Sequence, residues 1–68
     1  MISYNPLWVT LISKSMKKTD LINLIGLSSA TISKMSKDEY VALNIIEKIC
    51  LALDCNIEDV VEIKKDIE

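Results

Sequence analysis

A single glycine, Gly26, constrains the fold of this 68-residue chain more than any other feature. It stands in LIGLSSATISKM, where one short segment with apolar residues at helical spacing precedes it and another, rich in hydroxyl side chains, follows it. Glycine readily adopts the left-handed conformation that ends a helix, and serine is a favoured first cap of the next helix. Gly26 and Ser28 therefore predict two helices separated by three or four residues, which is helix-turn-helix spacing.

The pattern of apolar residues along the rest of the chain predicts a compact all-α domain of five helices. The expected helices cover about 5–16, 18–25, 29–36 and 42–53, and a short fifth helix or turn covers 57–61. Ile12, Leu24 and Leu43 are among the residues expected on their inward faces. A further option at the chain ends is a pair of short β-strands, in which the tail from residue 60 pairs with residues 2–4.

Length and composition favour a single cytoplasmic domain that spans residues 1–68, with the helix-turn-helix at about 18–36. Half of the residues are hydrophobic, so that even a small chain can form a core. No apolar run approaches the roughly 18 residues that a membrane span needs, and the first residues lack a signal-peptide pattern. We therefore expect no membrane partner.

The inventory of reactive side chains argues against an enzyme or a metal protein. The chain has no histidine, and its only cysteines are Cys50 and Cys55. A structural zinc site takes four ligands, which two cysteines in a C-x4-C pattern do not supply. The sequence offers no general base that could activate either cysteine, and it contains no glycine-rich loop or acid–base pair. We expect no catalytic residue, metal, cofactor or small-molecule substrate.

The charge is distributed unevenly between the two halves of the chain. Residues 1–37 hold five lysines against one acid, a net charge of +4, whereas residues 38–68 hold three lysines against nine acids, a net charge of −6. The overall net charge of −2 therefore conceals a basic half. Such an asymmetry permits one basic surface on an acidic protein, which is compatible with a nucleic-acid partner.

The residues around Gly26 resemble the motif L-x4-G-V-S-x2-[ST]-I of the Cro/phage-repressor (Xre-type) helix-turn-helix regulators. The matching positions are Leu21, Gly26, Leu27, Ser28, Thr31 and Ile32. Downstream, VALNIIEKICLALDCNIEDVVEI is similar to the fourth and fifth helices of this lambda-repressor-like domain, so that the resemblance covers about residues 6–63. The leading MISY and Trp8 resemble a small single-domain subgroup of bacterial or phage origin.

The resemblance implies that the third helix enters the major groove of double-stranded DNA. The positions that would then face base edges are Ser29, Ala30, Ser33 and Lys34. Ser28 and Thr31 would cap the helix and contact phosphate, and nearby lysines would position the duplex: Lys14, Lys17, Lys18 and Lys37. Each site has a plainer interpretation, in which Ser28 only caps and the lysines are ordinary surface charges.

Three positions depart from the family pattern. Ile22 stands directly after the conserved leucine, where members often have a small residue. Lys18 stands where members often have a glutamine that contacts the DNA backbone, and Ser36 stands where many have glutamate. A lysine can still contact phosphate as a point charge, although it lacks the amide's acceptor.

Two functions follow from the resemblance. The first is sequence-specific DNA binding as a homodimeric transcriptional regulator, most simply a repressor, that reads two half-sites. The second is a protein-interaction or antitoxin-like module on the same fold with weak or no DNA binding, which the net charge of −2 keeps open.

Overall fold

The computed structural model describes residues 1–65 and contains four α-helices, one 3₁₀ turn and two short strands. In chain order they are β1 (Ile2–Ser3), α1 (Asn5–Ser13), α2 (Lys18–Ile25), α3 (Ser29–Ser36), α4 (Leu43–Leu53), the turn Ile57–Asp59, and β2 (Glu62–Ile63). The predicted bounds of α2 and α3 agree with the structure. The last three positions of the predicted tail strand, 66–68, lie outside the described residues.

One hydrophobic core holds the helices together. Each of the four helices contributes at least one side chain that is 0 to 2 % exposed, and the residue after the 3₁₀ turn adds another. The fully buried apolar residues are Leu7, Leu21, Met35, Ile49 and Val60. Because every helix inserts into the same core, the orientation of α3 is fixed by packing against the others.

The prediction of a fifth helix is wrong, because the structure forms only a three-residue 3₁₀ turn at Ile57–Asp59. The Asn56 N–H donates to Asp59 Oδ2 over 3.0 Å. The N–H groups of Val60 and Val61 both donate to the Ile57 carbonyl, and the chain then enters β2. A longer helix would carry the chain past the point where Val60 enters the core.

The optional pair of terminal strands is confirmed. β1 and β2 are antiparallel, with Ile2 opposite Ile63 and Ser3 opposite Glu62. The pairing brings the first residues of the chain against the segment that follows the 3₁₀ turn. It explains why that segment leaves the helical conformation so early.

Three apolar residues that were expected to face inward are exposed instead. Ile12 is 75 % exposed, Leu24 is 55 % exposed and Leu43 is 71 % exposed. Helical spacing indicates which residues share a side of a helix, but short helices in a small domain bury only a narrow stripe. The excess apolar residues therefore lie on the surface.

Tyr4 connects the start of α1 to the loop that follows α3. Its hydroxyl donates to the Glu39 carbonyl over 2.8 Å, and its N–H donates to Asp38 Oδ1 over 3.1 Å. Asp38 has a φ of 58°, a left-handed conformation that aspartate tolerates better than most residues. Burial raises the pKa of the Tyr4 hydroxyl, and the charge of Asp38 adds to the increase. The hydroxyl therefore stays a hydrogen-bond donor throughout the neutral range.

Candidate nucleic-acid interface

The turn between α2 and α3 is built around Gly26, as its position in the sequence predicted. Gly26 has a φ of 69°, and its N–H donates to the Ile22 carbonyl over 2.8 Å. A Cβ placed on this glycine would meet no atom within 4 Å. The constraint is therefore the left-handed backbone, which costs an L-residue about 1–2 kcal/mol, and not a lack of space.

Ser28 caps α3. Its backbone is extended, and its Oγ accepts the Thr31 N–H over 3.1 Å. The Ser28 and Thr31 hydroxyl oxygens also lie 3.0 Å apart, within hydrogen-bond distance. Leu27, between the glycine and the cap, is buried. These contacts fix the first turn of α3 relative to the core, and the predicted capping role of Ser28 agrees with the geometry.

The two sides of α3 differ sharply. Ile32 and Met35 are buried in the core, while Thr31 is half-buried. The four residues expected to face bases are all exposed: Ser29, Ala30, Ser33 and Lys34. Residues four apart lie above one another on a helix, so Ser29 and Ser33 form one row and Ala30 and Lys34 form the next. The exposed side of α3 is thus narrow, made of small side chains, and ends in a cation.

Lysines stand at both ends of the helix-turn-helix unit. Lys17 is exposed directly before α2, and Lys37 is exposed directly after α3. The Lys17 N–H donates to Asp20 Oδ2 over 2.8 Å, so the one acid of residues 1–37 caps α2 rather than pairing with a lysine of α3. The cations at the two ends remain available to a phosphate backbone.

Lys18 makes contacts that the sequence did not reveal. Its Nζ donates to Ser36 Oγ over 2.9 Å and lies 4.2 Å from the centre of the Trp8 ring. The side chain thereby joins α1, the start of α2 and the end of α3. Ser36 was not among the expected site residues. Lys18 and Ser36 stand 18 positions apart, so that no local spacing rule could have paired them.

The two cysteines are half-buried thiols. Burial raises the pKa of the Cys55 thiol, and the neighbouring Cys50 adds to the increase. A thiol with a raised pKa is a poor nucleophile at neutral pH, because the thiolate is the reactive form. Within residues 1–65, no cluster of three potential ligands is placed to hold a metal ion. In the same range, none of the helices is long and apolar enough to cross a bilayer.

These features define a class of protein. Two short helices meet at a left-handed turn, a serine caps the second, and that helix carries small polar residues and a lysine on its exposed side. This is the architecture of a helix-turn-helix domain. A model of the Cro/C1-type helix-turn-helix DNA-binding domain matches residues 6–66, and the chain belongs to this family. The Xre-type resemblance is therefore confirmed.

A solved structure supports the same conclusion. The chain is similar to the transcriptional regulator VanUg (crystal form II), with 41 % sequence identity and a TM-score of 0.87. The match covers 90 % of this chain and 81 % of that chain. A search among curated proteins finds no match. The family and the structural relative belong to a class of DNA-binding regulators, and the expectation that this chain is not an enzyme is confirmed.

Proposed function

We propose that this chain is a sequence-specific transcriptional regulator that reads the major groove with α3 as a homodimer and acts most simply as a repressor. The observation that carries the proposal is the exposed side of α3, with Ser29, Ala30, Ser33 and Lys34 opposite the buried Ile32 and Met35. A helix that only packed against the core would not need these four residues on its exposed side.

The chemistry of these side chains suits base edges. Serine hydroxyls both donate and accept, so that Ser29 and Ser33 can pair with several bases. The methyl group of Ala30 suits the thymine methyl, and Lys34 can reach guanine O6 and N7. Small side chains also let the backbone of α3 approach the groove closely.

The remaining contacts are proposed to go to phosphate. Lys17 and Lys37 flank the unit, and the hydroxyls of Ser28 and Thr31 lie at the start of α3. Lys18 would contribute less than a free lysine does, because its Nζ already engages Ser36 and the Trp8 ring. Such contacts set the register on the duplex without reading sequence, and they weaken as salt rises.

The homodimer follows from the size of the unit. One α3 of eight residues makes few base contacts, and two copies on half-sites about one helical turn apart provide the missing specificity. The structural relative VanUg is itself a transcriptional regulator. Val9 and Ile12 on α1 supply exposed apolar area for pairing between copies. A site that overlaps a promoter would make the bound dimer a repressor, and a cytoplasmic location is part of the same proposal.

The second candidate is a protein-interaction module with weak DNA binding. The observation that favours it is the large number of exposed apolar side chains, among them Tyr40 at 81 % and Leu51 at 77 %. Salt separates the two candidates. Lysine–phosphate contacts lose affinity steeply between 50 and 200 mM salt, whereas an apolar interface does not.

The deciding experiment is a selection from randomised duplexes with the purified chain at moderate salt, followed by sequencing of the bound fraction. We expect enrichment of a palindrome whose half-sites lie about 10 base pairs apart. Enrichment of a single half-site would retain DNA reading and reject the homodimer. If no sequence is enriched by folded protein, sequence-specific binding is rejected and the second candidate takes its place.

A further inference from the structure

A second surface of the molecule has a character unlike that of α3. Three grooves adjoin one another around the start of α4, the 3₁₀ turn and the two strands. The first has a volume of about 330 Å³ and is lined by Leu43, Asn44, Ile46, Glu47, Cys50 and Ile57. Another groove, of about 420 Å³, shares Leu43, Ile46 and Ile57 with it. We call the joined grooves the acid-rimmed surface.

The floor of the acid-rimmed surface is apolar and accessible. It gathers five of the large hydrophobic side chains that are more than half exposed: Met1, Tyr40, Leu43, Ile57 and Ile63. A contiguous apolar patch of this kind is uncommon on a monomer and usually marks an interaction site. None of the nine residues proposed to contact DNA lies in it.

Carboxylates outnumber cations on the rim of this surface, where the Met1 amino group is a cation and donates to the Lys64 carbonyl over 2.7 Å. Among residues 1–65, the linings of the three grooves include five carboxylates and no lysine. The carboxylates belong to Asp38, Glu39, Glu47, Glu58 and Glu62. A second copy of the chain seated here about a two-fold axis would bring two such rims together. Like charges across an interface are unfavourable and select against that partner.

We propose that the acid-rimmed surface docks a short amphipathic segment of another protein, with apolar side chains for the floor and flanking lysines or arginines for the rim. The apolar floor supplies binding energy through burial, and the carboxylates select the cationic flanks. This role goes beyond DNA reading and does not depend on it. If α3 also binds DNA as proposed above, the chain would hold the second protein next to that duplex.

The experiment is a peptide display selection against the full chain, with 12-residue random peptides and a counter-selection against Leu43→Glu. We expect enriched peptides to combine a periodic apolar pattern with net positive charge. The best peptide, synthesised with a fluorophore, should lose affinity at least tenfold with Leu43→Glu. It should also bind several-fold more weakly to the Glu47→Gln/Glu58→Gln double variant and at higher salt.

Leu51→Glu is the matched control, because Leu51 lies on the same helix, is 77 % exposed and lines none of the three grooves. It should bind the peptide as the wild type does. Circular dichroism checks that each variant is folded. The proposal is overturned by peptides without net positive charge, by equal binding to Leu43→Glu, or by a lack of enrichment.

A second measurement distinguishes a segment of another protein from a second copy of this chain as the occupant of the acid-rimmed surface. Sedimentation velocity should show that Leu43→Glu and Leu51→Glu have the same association state as the wild type. If the wild type is a dimer that Leu43→Glu alone converts to monomer, a second copy covers this surface and the proposal fails. DNA binding is read separately on the same variants, so the failure of one proposal is distinguishable from the failure of the other.

Discussion

The exposed side of α3 and the acid-rimmed surface belong to one small domain and are opposite in chemistry. On α3 the exposed residues are small, with hydroxyls and a cation, and hardly any apolar area. On the acid-rimmed surface the exposed residues are large and apolar, and the charges around them are mostly negative. The first suits a polyanion with a groove, and the second would repel it.

The difference teaches how a net charge of −2 is compatible with DNA binding. The acids nearest to α3 in the sequence are engaged elsewhere: Asp20 accepts the Lys17 N–H at the start of α2, and Asp38, just after α3, accepts the Tyr4 N–H. The concentration of acids elsewhere also disfavours approach of the duplex in the wrong orientation. The net charge of the whole chain is therefore a poor indicator of whether it can bind DNA. The distribution of charge along the chain is a better indicator.

The largest expected effect tests whether α3 and the acid-rimmed surface are held in place by the same hydrophobic core. Leu21→Ala removes a buried side chain from α2, and Ile49→Ala removes one from α4. Each should lower the free energy of unfolding by about 2–5 kcal/mol, because each leaves a cavity in the same core. Urea unfolding followed by circular dichroism measures both. A loss below about 1 kcal/mol in one variant would mean that its surface is supported independently.

The next prediction concerns the cation of α3. Lys34→Ala should weaken binding to the selected duplex by about 1–3 kcal/mol and relax the preference at one base pair, because a base contact is lost. Fluorescence anisotropy with the selected duplex and its single-base-pair variants measures both effects. Lys48→Ala, at an exposed position of α4, is the control that should change neither. Equal losses on all sequences would make Lys34 a phosphate contact.

Lys18 should behave differently from Lys34. Lys18→Ala should weaken all duplexes about equally and reduce the salt slope by about 1, because its proposed contact is to phosphate. It should also lower the free energy of unfolding by about 0.5–1 kcal/mol, since the contact over the Trp8 ring is lost at an exposed site. Lys18→Met keeps the aliphatic stem. If Lys18→Met keeps both full stability and full affinity, neither contact matters.

The smallest effect is the dependence of stability on alkaline pH. The pKa of Tyr4 is raised above its ordinary value of 10.0 in the folded chain. From about pH 10 upward the unfolded chain binds fewer protons than the folded chain, so the free energy of unfolding falls as pH rises. Urea unfolding of the wild type and of Tyr4→Phe isolates the contribution of Tyr4 to this pH dependence, because the lysines titrate in both proteins. Parallel pH profiles would contradict it.

Much of the helix-turn-helix unit was predictable from the sequence because its determinants are local. Gly26 needs a left-handed backbone and Ser28 accepts the Thr31 N–H, so that the turn and the start of α3 depend on residues within a few positions. The same locality explains why the bounds of α2 and α3 were predicted correctly. The assignment of the individual DNA contacts stays a prediction.

The rest of the fold was less predictable because its determinants are long-range. The 3₁₀ turn ends where it does because β2 pairs with Ile2 and Ser3, some sixty positions away. The exposure of Leu43 depends on which neighbours cover the start of α4, which helical spacing does not report. The contact between Lys18 and Ser36 likewise depends on how α2 and α3 pack.

The position of Lys18 over the indole gives the molecule a built-in optical reporter. Trp8 is the only tryptophan of the chain, so its emission arises from one place, where α1, α2 and α3 meet. A cation close to the ring perturbs the excited state of the indole, and a phosphate that draws the ammonium away would remove that perturbation. If Lys18 contacts phosphate as proposed, titration with duplex should change the intrinsic fluorescence of the unlabelled protein, and the Lys18→Met variant should show no such change.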